Sequence, residues 1–257
     1  MWNYEKRLQY PVNITKPNAK VAQIVMSQYG GPDGEMGASM RYLSQRFTAP
    51  NRICMGILND VGTEELAHLE MVATIVHQLT CNLTLEEIER SGFAPYYIDH
   101  TVGIWPQAAG GVPFNANQFQ SKGDPITDLH ENLAAEQKAR TVYDNILRLV
   151  KDPEVADPIR FLRAREIVHY QRFGEALRSL QEELDANNFY AFNPSFDAPI
   201  PCKSTPTSPT VATTPSRLQT PGNNSNMNAG TANNMTGNRT SNRNNGRGNN
   251  RNTRRGM

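Results

Sequence analysis

No stretch of this chain approaches the ~20 consecutive apolar residues of a membrane span, so a membrane protein is not expected. Lys6 and Arg7 are not followed by an apolar run, so the pattern of a secretory signal is missing as well. Cysteine is scarce. Cys54, Cys81 and Cys202 are an odd number set far apart, which fits neither a zinc ribbon nor a redox pair. Reduced thiols in a soluble cytoplasmic protein are the expectation, with Cys54 and Cys81 filling the core. Acid is missing altogether from residues 201–257, where Lys203 and seven arginines stand without Asp or Glu, a local charge of +8. The formal total of +1 therefore hides an acidic body, because residues 1–200 hold 18 basic against 25 acidic residues, net −7. A body of that sign is not expected to grip nucleic acid.

What is present divides into two parts. A chain of 257 residues can bury a substantial core, and residues 1–195 carry the apolar side chains for one folded domain. Residues 196–257 turn to Pro, Ser and Thr, and then over 222–252 to an Asn, Gly and Arg tract nearly free of large apolar residues. Such a segment cannot offset its ordering entropy, so 200–257 are read as disordered. They form either a solvated tail or a tether to an acidic surface or a partner that the sequence does not identify.

Within the body, four stretches follow the helical period. In the second, Leu58, Val61, Glu65, His68, Val72, Ile75 and Leu79 alternate spacings of three and four, which is one face of a helix. The fourth repeats this with Leu162, Glu166, His169, Phe173, Leu177, Leu180 and Leu184, and the third aligns Leu129, Leu133, Glu136, Tyr143 and Val150. The first, residues 19–47, should break or kink at Gly30-Gly31-Pro32-Asp33-Gly34, after which Glu35, Ala38 and Tyr42 share a face. A long crossover, residues 91–124, separates the second and third stretches without clear periodicity. It is read as a packed connection, or as a channel lining or subunit contact.

The stripes are apolar except where they carry Glu or His. Two Glu-x-x-His motifs, Glu65 with His68 and Glu166 with His169, each set two ligand-type side chains on one helical face. Another glutamate stands 30 residues before each motif, Glu35 and Glu136, and the midpoints fall in turn-like sequence at Pro50 and Lys151-Asp152-Pro153. If each pair is an antiparallel hairpin, its glutamates meet ~22 Å from the turn, and two hairpins side by side bring four glutamates and two histidines to one level. Four carboxylates buried together would be prohibitive without cations or protons to neutralise them. Two metal ions are the economical answer, for this is the ligand set of di-iron and di-manganese carboxylate bundles. Oxygen with some imidazole suits manganese or iron alike. His77, His100 and His130 have no partner at ligand spacing and are read as ordinary surface or structural histidines.

The stretches Gly-Gly-Pro-Asp-Gly-Glu35, Thr63-Glu64-Glu65-Leu-Ala-His68-Leu-Glu, Ala135-Glu136-Gln-Lys-Ala-Arg140 and Arg165-Glu166-Ile-Val-His169 resemble the manganese catalase family, over about residues 1–190. The opening Met-Trp-x-Tyr-Glu-Lys-x-Leu-Gln-Tyr-Pro resembles its spore-coat branch. The resemblance implies an all-α, ferritin-like four-helix bundle, hydrogen peroxide as substrate, and two manganese ions per subunit. It implies Glu35 and His68 on one ion and His169 on the other, with Glu65 and Glu136 bridging. Glu166, which spacing alone makes a sixth ligand, is implied to be the catalytic proton acceptor and donor, and Tyr42 to hydrogen-bond a ligand carboxylate. A homo-oligomer, often a hexamer, is implied too, and calcium in some members, though no calcium ligand carries over. Ala135 stands where some relatives have an arginine shielding the metal pair, so the site is expected to be more open to small anions. A di-iron oxidase and a structural coat or assembly protein are the alternatives.

Overall fold

The computed structural model describes residue 5 and residues 7–186. The expected tail, 196–257, lies outside the described residues, as do Cys202 and residues 1–4. Among the described residues are seven α-helices and no strand, only an isolated bridge between Gln107 and Pro113. The helices are α1 (Ala19–Gly30), α2 (Glu35–Gln45), α3 (Arg52–Thr80), α4 (Leu85–Ser91), α5 (Ala94–His100), α6 (Pro125–Leu149) and α7 (Pro153–Ala186). No described helix is long and apolar enough to cross a membrane.

Local chemistry sets the boundaries. Asn18, Asn51 and Asp124 cap α1, α3 and α6 with side-chain oxygens that accept from the first free backbone N–H groups, and α6 and α7 begin on prolines. The turns at Pro50 and at residues 151–152 fold two helical hairpins, with α2 against α3 and α6 against α7. Helix α1 also packs on α3, and α3 meets α7 to join the hairpins. The first helical stretch is broken as its glycines require. One result is that Glu35 becomes the first residue of α2, where the helix dipole favours a carboxylate.

The crossover is packed rather than open. The backbone of Ala109 donates to Ser27 Oγ at 2.7 Å and accepts from Gln23 Nε2 at 3.1 Å. A Cβ built on Gly30 would lie 2.4 Å from the backbone of Pro106 and Gln107, so only glycine lets the two segments approach so closely. Gly30→Ala should lower stability by about 1–3 kcal/mol, the usual cost of overpacking; an unchanged urea midpoint would mean that the crossover yields. Helices α4 and α5 were not legible as stripes, since neither is long enough to show a period. The capping box between Thr84 and Glu87 that starts α4 is nevertheless written in the sequence.

Two apolar clusters fill the bundle. One gathers Ala22, Val25 and Met26 of α1 with Met71, Val72 and Ile75 of α3, Tyr143 of α6 and Leu162 of α7. The other gathers Tyr42, Leu58, Val61, Leu129 and Phe173. Each column of the bundle passes from one cluster to the other, and at every crossing point stands Glu or His: Glu35, Glu65 and His68, Glu136, and Glu166 and His169, all buried. Cys54 is buried as expected, but Cys81 is exposed. It is the C-cap of α3, two residues past Leu79 and off the apolar stripe.

Candidate metal centre

Glu65 and His68 project from the middle of α3, Glu166 and His169 from the middle of α7, Glu136 from the middle of α6, and Glu35 from the start of α2. Helix packing brings all six to one level, as the spacing predicts. Ligand-type atoms of Glu65, His68, Glu166 and His169 lie within 4.8 Å of one another. Glu65 occupies the centre: one oxygen is 2.8 Å from His68 Nδ1 and the other 2.8 Å from His169 Nδ1. The two imidazoles stack with centroids 5.4 Å apart. Glu35 Oε2 approaches His68 Nδ1 at 3.8 Å, and Glu136 Oε2 approaches His169 Nδ1 at 3.6 Å.

Two tyrosines hold the flanking carboxylates. Tyr42 of α2 donates to Glu136 of α6, while Tyr143 of α6 donates to Glu35 of α2, so each hairpin reaches across to the other. The pairs Glu35 and Glu136, Tyr42 and Tyr143, Glu65 and Glu166, and His68 and His169 are all separated by 101 residues, which makes the centre a pseudo-twofold repeat. Tyr42, which the resemblance implies to hydrogen-bond a ligand carboxylate, donates to Glu136. Tyr143 lies on an apolar stripe in the sequence, yet the 101-residue repeat that relates the Glu and His residues also pairs it with Tyr42. Tyr143→Phe should leave a buried carboxylate oxygen without its donor and cost about 1–3 kcal/mol, measured by urea unfolding.

Electrostatics differ between the two halves. Burial works to raise the Glu65 carboxyl, but His169 and His68 outweigh it and hold it well below the usual range. Burial and then the nearby acids, Glu35, Glu65 and Glu136, push Glu166 well above that range. Burial followed by the charge of Glu65 raises Glu35 to about 7, and the same two causes raise Glu136. Burial opposes the charge on His169, yet Glu65, Glu136 and Glu64 push it up to about 12. Glu64, one residue outside the expected set, faces both histidines from the opposite side and pairs with Arg165. Spacing alone did not single it out.

The donors fit a pair of metal ions. Glu65 Oε1, Glu136 Oε2, Glu166 Oε1 and His169 Nδ1 are buried and make no hydrogen bond among the described residues, a costly state for polar atoms. Glu65 Oε1 and His169 Nδ1 are orphaned although only 2.8 Å apart, because they are misaligned for a hydrogen bond, as atoms directed at a common third point would be. Carboxylate oxygens with two imidazole nitrogens are the donor set that divalent manganese or iron prefers.

The family profile described as manganese containing catalase matches residues 1–193. The chain belongs to that family. Protein CotJC of Bacillus subtilis (strain 168) is 48% identical over 190 residues, which cover 74% of this chain and 100% of that relative. A probable manganese catalase of Clostridium acetobutylicum is 33% identical over 191 residues, 74% of this chain and 85% of its own length. Among solved structures, wild-type KatB, a manganese catalase from Anabaena, matches with a TM-score of 0.65 and 32% identity, covering 70% of this chain and 81% of KatB. The fold is thus the ferritin-like bundle expected from the sequence. Ala135, at the expected arginine position, is 5% exposed.

Proposed function

We propose that this member of the manganese catalase family is a dinuclear manganese catalase, converting two molecules of hydrogen peroxide into dioxygen and two of water. The observation that carries the reading is Glu65, whose separate oxygens lie 2.8 Å from the inner nitrogens of both buried histidines. In this reading Glu35 and His68 would hold one ion and His169 the other, with Glu65 and Glu136 within reach of both. Family membership favours manganese over iron, which the donors would accept equally. A homo-oligomer located in the cytoplasm or a spore coat belongs to the same reading.

The chemistry that such a pair supplies when bound is storage of two electrons, released by one peroxide as it becomes dioxygen and returned to a second as its O–O bond breaks. The chain's own part is proton handling and exclusion. The peroxide that is oxidised gives up two protons, and the one that is reduced takes up two. Glu166 is the group placed to carry them, because it is buried, unlike Glu65 makes no contact with the inner histidine nitrogens that is short enough for an ion pair, and has Oε1 without a partner. Such positioned acid–base groups contribute about 10²–10⁴-fold to rate. Tyr42 and Tyr143 keep Glu136 and Glu35 in place, and the two apolar clusters keep bulk water from the level between them.

Elemental analysis and oxygen release from hydrogen peroxide, measured on one sample grown with both metals, test this. About two manganese per chain with vigorous oxygen release is expected, whereas two iron with little release would replace the catalase by an oxidase. A second reading, an assembly protein in which the chemistry is incidental, draws on the extent of the match to Protein CotJC and the spore-coat resemblance of the opening residues. An intact donor set weighs against it, and a well-assembled protein that neither holds metal nor releases oxygen would favour it.

A further inference from the structure

We infer that Glu64 is a positioning residue shared by both histidine ligands, one carboxylate that fixes the outer nitrogens of His68 and His169 together. The inference rests on the two-metal reading of the centre.

Each imidazole turns Nδ1 inward to Glu65 and so presents Nε2 outward. A neutral imidazole that binds metal through Nδ1 carries its proton on Nε2, and an acceptor placed there sets the tautomer, the ring orientation and the basicity of the inner nitrogen. Here both outer nitrogens face one side chain. Glu64 Oε2 is 3.1 Å from His169 Nε2, and Glu64 Oε1 is 3.6 Å from His68 Nε2. Neither approach is yet an aligned hydrogen bond, and such contacts often tighten only when the site's ligand is bound.

Glu64 is itself held. Arg165 Nε donates to Oε1 at 2.7 Å and Nη2 to Oε2 at 3.2 Å, a two-pronged grip that fixes the plane of the carboxylate. Gln9 Nε2 donates to Oε1 at 2.7 Å, tying the segment before α1 to the centre. That segment is anchored further along by Ile14, whose N–H donates to Gln78, and by Asn18, whose N–H donates to the carbonyl of Leu79. The side chain of Glu64 is only 14% exposed as a result.

The repeat explains why one carboxylate does the work of two. The residue 101 positions after Glu64 is Arg165. A strict copy would put a second acid there. The arginine instead supplies the counter-charge that keeps a single acid between the two rings.

The test uses the full chain loaded with manganese(II), then challenged with EDTA while the metal remaining is followed by elemental analysis and by electron paramagnetic resonance. Glu64→Gln and Glu64→Ala should lose manganese on the order of 10–100-fold faster than the wild type, the range for removing an outer partner of a ligand. Gln9→Ala should shift in the same direction by less. Arg163→Ala breaks a pair with Asp144 between α6 and α7 and should leave metal loss unchanged, which separates positioning from general loosening. If Glu64→Ala does not fold, the nearly isosteric Glu64→Gln and Gln9→Ala carry the comparison. Folded variants that keep manganese as long as the wild type overturn the role of Glu64 alone. A wild type that binds no manganese overturns the two-metal reading and this inference with it.

Discussion

Replacing Glu166 with Gln should leave the metal content at the wild-type level and lower kcat about 100- to 10,000-fold, the usual worth of a positioned acid–base group. Glutamine matches glutamate in volume and keeps one carbonyl oxygen, with an amide NH2 in place of the other oxygen, so the packing between Glu166 and its buried surroundings survives. It cannot take up or release a proton. The wild-type side chain is suited to that task by its burial and by the facing carboxylates of Glu35, Glu65 and Glu136, which hold its proton more tightly than a solvated carboxyl would. Steady-state oxygen release together with elemental analysis reads both quantities. Wild-type turnover in Glu166→Gln would end its assignment as the proton carrier, and a parallel loss of metal would make it the sixth ligand that spacing alone suggested.

The same chemical change at the equivalent position of the other half should do the reverse. Glu65→Gln removes the carboxylate that, among the described residues, lies 2.8 Å from both inner histidine nitrogens, so metal content should fall to a minor fraction of the wild-type level and turnover should follow it. The metal-free protein should suffer as well. Two buried imidazoles lose the carboxylate nearest their inner nitrogens, and breaking a buried charged pair from one side costs about 3–5 kcal/mol, to be read by urea unfolding of chelated samples. If Glu65→Gln kept its metal and its stability, the carboxylate would not be central. The contrast between Glu65 and Glu166, related by the repeat yet opposite in proton affinity, is what makes the pair of substitutions informative.

The level of the site was legible because helical geometry is periodic. The two spacings of 30 residues around turn-like sequence placed four glutamates and two histidines together, and α2, α3, α6 and α7 do bring them to one layer between two apolar clusters. The break before Glu35 was equally legible, since consecutive glycines and a proline cannot continue a helix. What was missed depends on packing between distant segments. Tyr143 serves Glu35, a carboxylate of the opposite hairpin, which no spacing within one helix reveals. Glu64 lies beside a ligand in sequence, but its meaning comes from Arg165 and His169 on α7 and from Gln9 near the start of the chain. Helix α5 was missed for a plainer reason. Its seven residues are too few to display a stripe.

Two manganese ions are proposed to lie in the layer that separates the two apolar clusters, with Glu65 within reach of both. Anomalous diffraction from crystals of the manganese-loaded protein, recorded on both sides of the manganese absorption edge, locates such ions. Two peaks roughly 3–4 Å apart are expected, one beside His68 and Glu35 and the other beside His169 and Glu136, with Glu65 reaching both. A single peak, or a layer with no anomalous signal in crystals of fully loaded protein, would contradict it.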